Sequence, residues 1–192
     1  MENSKSESVD RRTRKTISLI KKTFTHLLLE KDIKDISISE LTELADINRG
    51  TFYLHYKDIF DLFEQIEKDV WDDFIGIIEA NKNKSQQSLS LILLELFRYI
   101  AANPDIFFVI FNTRETTFLN RLIEIVRPKS PAEWENLLST EKEEYYDYYY
   151  HFISFGCVAL VNKWVDNGMK ETPEYMAELA KQIVANCKYS MQ

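Results

Sequence analysis

Glycine and proline are scarce: the 192 residues hold four of each, and no proline precedes Pro104. Sandwiches and barrels turn at every strand end and draw on these residues, so so poor a supply points to an all-α protein. Cysteine is scarcer still. Cys157 and Cys187 stand 30 positions apart without paired-ligand spacing, which argues against a disulfide scaffold or a zinc knuckle and fits a reducing compartment. Long apolar runs are missing as well. Stretches such as Ile106–Phe111 fall far below the ~20 residues of a membrane helix, and the polar start lacks a secretory apolar region. A soluble, cytoplasmic protein with no membrane partner is expected.

Catalytic signatures are also missing. The glycines are isolated, so no phosphate-cradling loop exists, and no glycine-flanked serine or Cys–His pair is found. The three histidines, His26, His55 and His151, lack partners at metal-ligand spacing. No catalytic residue, no metal and no cofactor is expected.

What is present suffices for a core: 45% of residues are hydrophobic and 29% charged, which excludes disorder throughout. The net charge of −7 is uneven. Residues 1–60 carry 11 basic and 10 acidic side chains, and residues 61–192 carry 13 and 21. Between Arg11 and Leu29 six basic residues stand with no acidic one. An acidic body with a locally basic end suits contact with a polyanion through that end only.

Apolar periodicity predicts a first helix over Asp10–Lys31, with Ile17, Ile20, Phe24, Leu27 and Leu28 on one face. Ser37 and Glu40 form a capping box that opens a short helix. Asn48 caps a second short helix over Arg49–Tyr56, and Asp58 caps a long one through about Ala80. Further helices are expected over Gln86–Ala102, from Pro104, over Glu115–Val126, over Glu141–Asn167 up to Gly168, and from Thr172–Pro173.

The two short helices and their tight turn form a helix-turn-helix. Ile38, Leu41, Ala45, Ile47, Phe52 and Tyr56 pack them together, and Asp46 must turn sharply, which Asp tolerates better than most residues. That packing leaves Arg49, Gly50, Thr51, Tyr53 and His55 outward. Arg49 is long enough for a guanine edge or a phosphate. Gly50 permits close approach to DNA, and Tyr53, His55 and Lys57 suit flanking phosphates.

The run from Ser37 to Tyr56 resembles the helix-turn-helix signature of TetR-family transcriptional regulators. Arg49, Gly50, Thr51, Phe52, Tyr53, His55 and Tyr56 all fall in place. Two positions depart: Asp46 stands where the family usually has glycine, and Ile59 where it often has a phosphate-gripping lysine. The resemblance implies a DNA-binding domain over residues 10–58, its motif at 39–58, and an effector-binding and dimerisation domain over 59–192. The candidate DNA contacts are Ser37, Arg49, Gly50, Thr51, Tyr53, His55 and Lys57, and the implied partner is a double-stranded operator.

Trp71, Phe74, Phe97, Phe108, Phe111 and Tyr149 are candidates for an effector pocket, with Trp71, Phe97, Phe108 and Phe111 placed by periodicity on inward faces. A homodimer is expected through Phe152, Gly156, Ala159 and Leu160 on one helix. On the last helix it would use Met176, Leu179, Ala180, Ile183, Val184 and Cys187, which follow the i, i+3, i+4 rule. The leading functional expectation is a repressor released by a small effector. The stretch from Phe155 to Gly168 also resembles a dihydroxyacetone-kinase-regulator-like subgroup, which implies an activator controlled by a protein co-regulator. A ligand carrier that binds no DNA is the alternative from another class, and the polar face around Arg49 argues against it.

Overall fold

A computed structural model describes the backbone of residues 2–82, 88–112, 121, 124, 127 and 146–189, and side chains over 11–81, 90–110, 121, 124, 127 and 146–186. Among these residues there are eight α-helices and no strand. They are α1 (Glu2–Glu30), α2 (Ile38–Leu44), α3 (Arg49–Tyr53), α4 (Ile59–Lys82), α5 (Ser88–Ala102), α6 (Pro104–Asn112), α7 (Tyr146–Asp166) and α8 (Pro173–Tyr189). A 3-10 turn over Ile33–Asp35 links α1 to α2. Apart from residues 121 and 124, the helix expected over Glu115–Val126 lies outside the described residues, as does the start of the one expected from Glu141.

Two compact units divide the chain, Met1–Val70 and Trp71–Gln192. The division falls inside α4, beyond the boundary at 58 and 59 suggested by the sequence, because Ile59, Leu62, Ile66 and Val70 are buried in the first unit. α1 starts well ahead of Asp10, at Glu2. No proline or glycine interrupts that stretch, and each added residue of a growing helix gains a hydrogen bond.

The core of the first unit is built from Ile20, Phe24 and Leu27 of α1, Leu41 of α2, Phe52 of α3 and Leu62 of α4, all buried. Phe24 meets Phe63 edge-on at 6.4 Å. Two charged pairs fasten α1 at its flanks: Lys21 to Asp69 on α4, and Lys31 to Glu40 on α2. The Glu40 side chain, expected to reach back to the Ser37 amide, is thereby committed to Lys31. The other arm of the box is made, with the Glu40 amide donating to Ser37 Oγ at 3.2 Å.

In the second unit α8 lies against α5, and α7 touches α6 and α8. Phe74 and Phe107 pack at 5.5 Å, and Tyr99 meets both rings edge-on. Phe97 meets Trp164 edge-on at 5.4 Å. Arg98 joins α5 to α8 through Glu174 at 2.9 Å. α7 ends with Gly168 at φ 75, its amide donating to Val165 O and that of Met169 to Trp164 O. This is the Schellman arrangement, in which a left-handed residue closes the last turn.

Candidate nucleic-acid interface

The site is assembled by three local devices. At the end of α2, Asp46 takes φ 49, its amide bonding Glu43 O at 3.1 Å while that of Ile47 bonds Thr42 O at 3.0 Å. The same closure that ends α7 at a glycine is made here by an aspartate, one of the few residues besides glycine to visit the left-handed region. Asn48 then accepts from the Gly50 amide at 2.8 Å and caps α3. A Cβ on Gly50 would stand 3.3 Å from that Asn48 oxygen, so the small residue protects the cap as well as the open surface.

The third device starts α4. The Asp61 amide donates to Asp58 Oδ1 at 2.8 Å, and Asp61 Oδ2 accepts from the Lys57 amide at 2.8 Å. These reciprocal bonds fix Lys57 just ahead of the helix and keep two carboxylates at its positive end, where the helix dipole favours them.

Ser37, Arg49, Gly50, Tyr53 and Lys57 are exposed, and Thr51 is half-buried. His55, expected outward, is half-buried beside Tyr56, with ring centroids 6.3 Å apart. The reason is the early end of α3, at Tyr53 rather than Tyr56: the His55 amide turns in to Phe52 O at 2.9 Å. Tyr56 can then bury its ring 5.6 Å from Phe52. Leu54, two residues beyond the buried Phe52 and so about 200° around the axis from it, stands out at 80% exposure.

Ile59 is only 5% exposed. It is a core residue and offers nothing to a phosphate, whereas Lys57, two positions earlier, is exposed. Arg49 does not hang free: its Nη2 donates to Ser39 Oγ on α2. Nothing in the spacing of Ser39 and Arg49 announces this contact.

Burial drives the Tyr56 phenol up to about 12, helped by the carboxylates of Asp69 and Asp61. The ring therefore stays neutral at the base of the helix-turn-helix.

The aromatic candidates of the second unit separate. Phe74 belongs to the Phe107–Tyr99 cluster and Phe97 to Trp164, so both fill the core. Trp71 carries the guanidinium of Arg121 over its ring at 4.3 Å. Tyr149 is half-buried. Phe108, expected inward, is 37% exposed: neighbouring positions on a helix point about 100° apart, and Phe107 takes the inward one. The side chain of Phe111 lies outside the described residues.

The expected dimer stripe also divides. Met176, Ala180 and Val184 are buried within the chain itself, because their face of α8 covers α5. Leu179 and Leu160 are half-buried, and Gly156 and Ala159 are exposed. Phe152 is 71% exposed and Ile183 45%. The Cys187 side chain lies outside the described residues.

Among the described residues no helix is long and apolar enough to cross a membrane, and no group of His, Cys, Asp or Glu is placed to hold a metal ion.

Residues 87–186 match the TetR-type transcriptional regulator C-terminal region. The chain is similar to the HTH-type transcriptional regulator YxbF of Bacillus subtilis (strain 168), 24% identical over 179 residues. That alignment takes in 88% of the chain and 45% of YxbF, so the chain spans under half the length of this relative. The fold is similar to that of the dihydroxyacetone kinase operon activator DhaS, with a TM-score of 0.56 at 20% identity, covering 91% of the chain and 97% of DhaS. It is also similar to the transcriptional regulator FadR from Bacillus subtilis in complex with stearoyl-CoA, with a TM-score of 0.61 at 16% identity over 91% of the chain and 99% of FadR. A regulator's C-terminal region thus occupies more than half of the chain, following the helix-turn-helix in the sequence, and the protein belongs to the TetR family of transcriptional regulators, a family without enzymatic activity.

Proposed function

We propose that the protein is a homodimeric repressor that binds a double-stranded operator through α3 and leaves it when a small apolar effector occupies the second unit. The observation that carries the DNA reading is the outward polar face of α3. Arg49 and Tyr53 stand exposed around a bare Gly50, on a helix held by a capped, left-handed turn. A carrier without DNA binding has no use for such a face.

One α3 covers one half-site, so two copies are required, with recognition helices about 34–36 Å apart to enter successive major grooves. Apolar surface for pairing is offered by Phe152, Phe155, Gly156 and Ala159 of α7 and by Ile183 of α8, all exposed. Open space surrounds Gly156, which suits close approach of a second helix. An effector releases the operator only by as much as it prefers the dimer with a different spacing. The stearoyl-CoA bound to FadR supports an apolar effector for this scaffold.

A second reading, an activator controlled by a protein co-regulator, is favoured by the likeness to DhaS, which is described as an operon activator, and by the packing of Phe74 and Phe97 into core rather than around a void. Selection of bound fragments from the source genome tests the DNA reading and names the target genes. Failure to enrich any sequence overturns it. Release of the enriched operator by apolar compounds supports the repressor, and retention through a broad set of them favours the co-regulator.

A further inference from the structure

We propose that Ser39, on the first helix of the motif, is a positioning residue for Arg49 and so takes part in choosing the base that Arg49 reads. The inference rests on the DNA reading above. Arg49 lies on the first turn of α3 and Ser39 on the first turn of α2, and the Arg49 guanidinium donates through Nη2 to Ser39 Oγ.

A free arginine side chain samples many rotamers, a freedom that it must lose to hold a base edge. The Ser39 hydroxyl takes up one of its five donors and leaves the others of the planar fork for a bidentate contact. Both side chains belong to one compact unit, and the left-handed closure at Asp46 sets the distance between their helices. Part of the ordering cost is therefore met before DNA arrives. The Ser39 hydroxyl can accept this bond only while it points at Arg49, so loss of the hydroxyl frees the guanidinium to sample phosphates and other bases.

The experiment compares full-length wild type, Ser39→Ala, Ser39→Thr, Arg49→Ala and the double variant Ser39→Ala/Arg49→Ala. Each is titrated against the selected operator and its single-base-pair variants. Ser39→Ala is expected to weaken the operator about three- to ten-fold, the share of the rotamer ordering that the bond otherwise meets in advance, with its loss of discrimination confined to the base pair that Arg49→Ala relaxes. Ser39→Thr restores it, and the double variant binds no worse than Arg49→Ala. Equal weakening of all operator variants by Ser39→Ala, or a loss that adds fully to that of Arg49→Ala, means that Ser39 acts on its own and overturns the proposal. An unchanged Ser39→Ala overturns it too. If Arg49→Ala itself leaves the selected operator unaffected, the assignment of α3 as the reading helix falls, and the proposal falls with it. Ser39 is exposed, so an unaltered melting temperature separates these outcomes from misfolding.

Discussion

At the scale of single residues, two cations of the first unit are distinguished by what holds them. Arg49 is steered by a neighbouring hydroxyl, and Lys57 is fixed at its backbone by Asp61 while its ammonium stays in solvent. A steered fork suits bidentate recognition, and a solvated point charge suits a phosphate. Arg49→Ala is therefore expected to cost about 1–3 kcal/mol on the operator and to relax one base pair. Lys57→Ala should weaken all sequences alike and reduce the salt slope by about one. Titrations at several salt concentrations read both. A second prediction concerns Tyr56, whose phenol is pushed up from 10 to about 12 by burial and the nearby carboxylates. The folded state holds this proton more tightly than the unfolded chain, so the contribution is complete below pH 10 and is lost as pH rises towards 12. Tyr56→Phe should flatten the alkaline decline in stability of the first unit. Parallel declines for the two proteins would refute the assignment.

At the scale of elements, the helix-turn-helix depends on how α2 stops as much as on how α3 starts. Asp46 sits at φ 49, where an ordinary L-residue loses about 1–2 kcal/mol. Asp46→Val adds a β-branch to that strain and should lower stability by at least that much, whereas Asp46→Gly should match or exceed the wild type. Chemical denaturation distinguishes them. The core beneath is less forgiving, because Phe52 is fully buried and truncation of such a ring to alanine costs about 3–5 kcal/mol. A charged contact between elements carries an acid signature. Glu174 is held below its usual range first by its own backbone amide and then by Arg98. Its contribution is full above the ordinary carboxylate value of 4.5 and fades as pH falls below it. Glu174→Gln should therefore melt with less acid dependence than wild type as pH falls below 4.5.

At the scale of the whole molecule, α8 serves two surfaces whose consequences can be separated. Met176 is buried in its own chain, so Met176→Ala should destabilise the fold by about 2–5 kcal/mol. Ile183 is 45% exposed, so Ile183→Glu leaves the isolated chain intact. In the proposed two-fold interface it places an unpaired charge at each equivalent position, at several kcal/mol per site. The variant should sediment as a folded monomer and lose the operator although no DNA-facing residue has changed. A wild type that is monomeric at micromolar concentration defeats the dimer reading.

Short-range chemistry was legible in the amino-acid order alone. Scarcity of glycine and proline pointed to a helical protein. Ser37, Asn48 and Asp58 cap helices through bonds to amides two or three residues away, and no distant part of the chain is needed to make them. The buried positions Ile20, Phe24, Leu41 and Phe52 followed from periodicity because each of their helices has one apolar face to offer. Where a helix had more apolar surface than one neighbour can cover, only the tertiary structure decided. It turned Phe107 rather than Phe108 inward, and it buried Met176, Ala180 and Val184 against α5 while leaving Ile183 out. It also ended α3 early enough to draw His55 in, and it brought Ser39 to Arg49 across ten residues of chain. Each of these outcomes depends on which helix arrives from elsewhere and at what angle, a quantity that spacing along a single element does not contain.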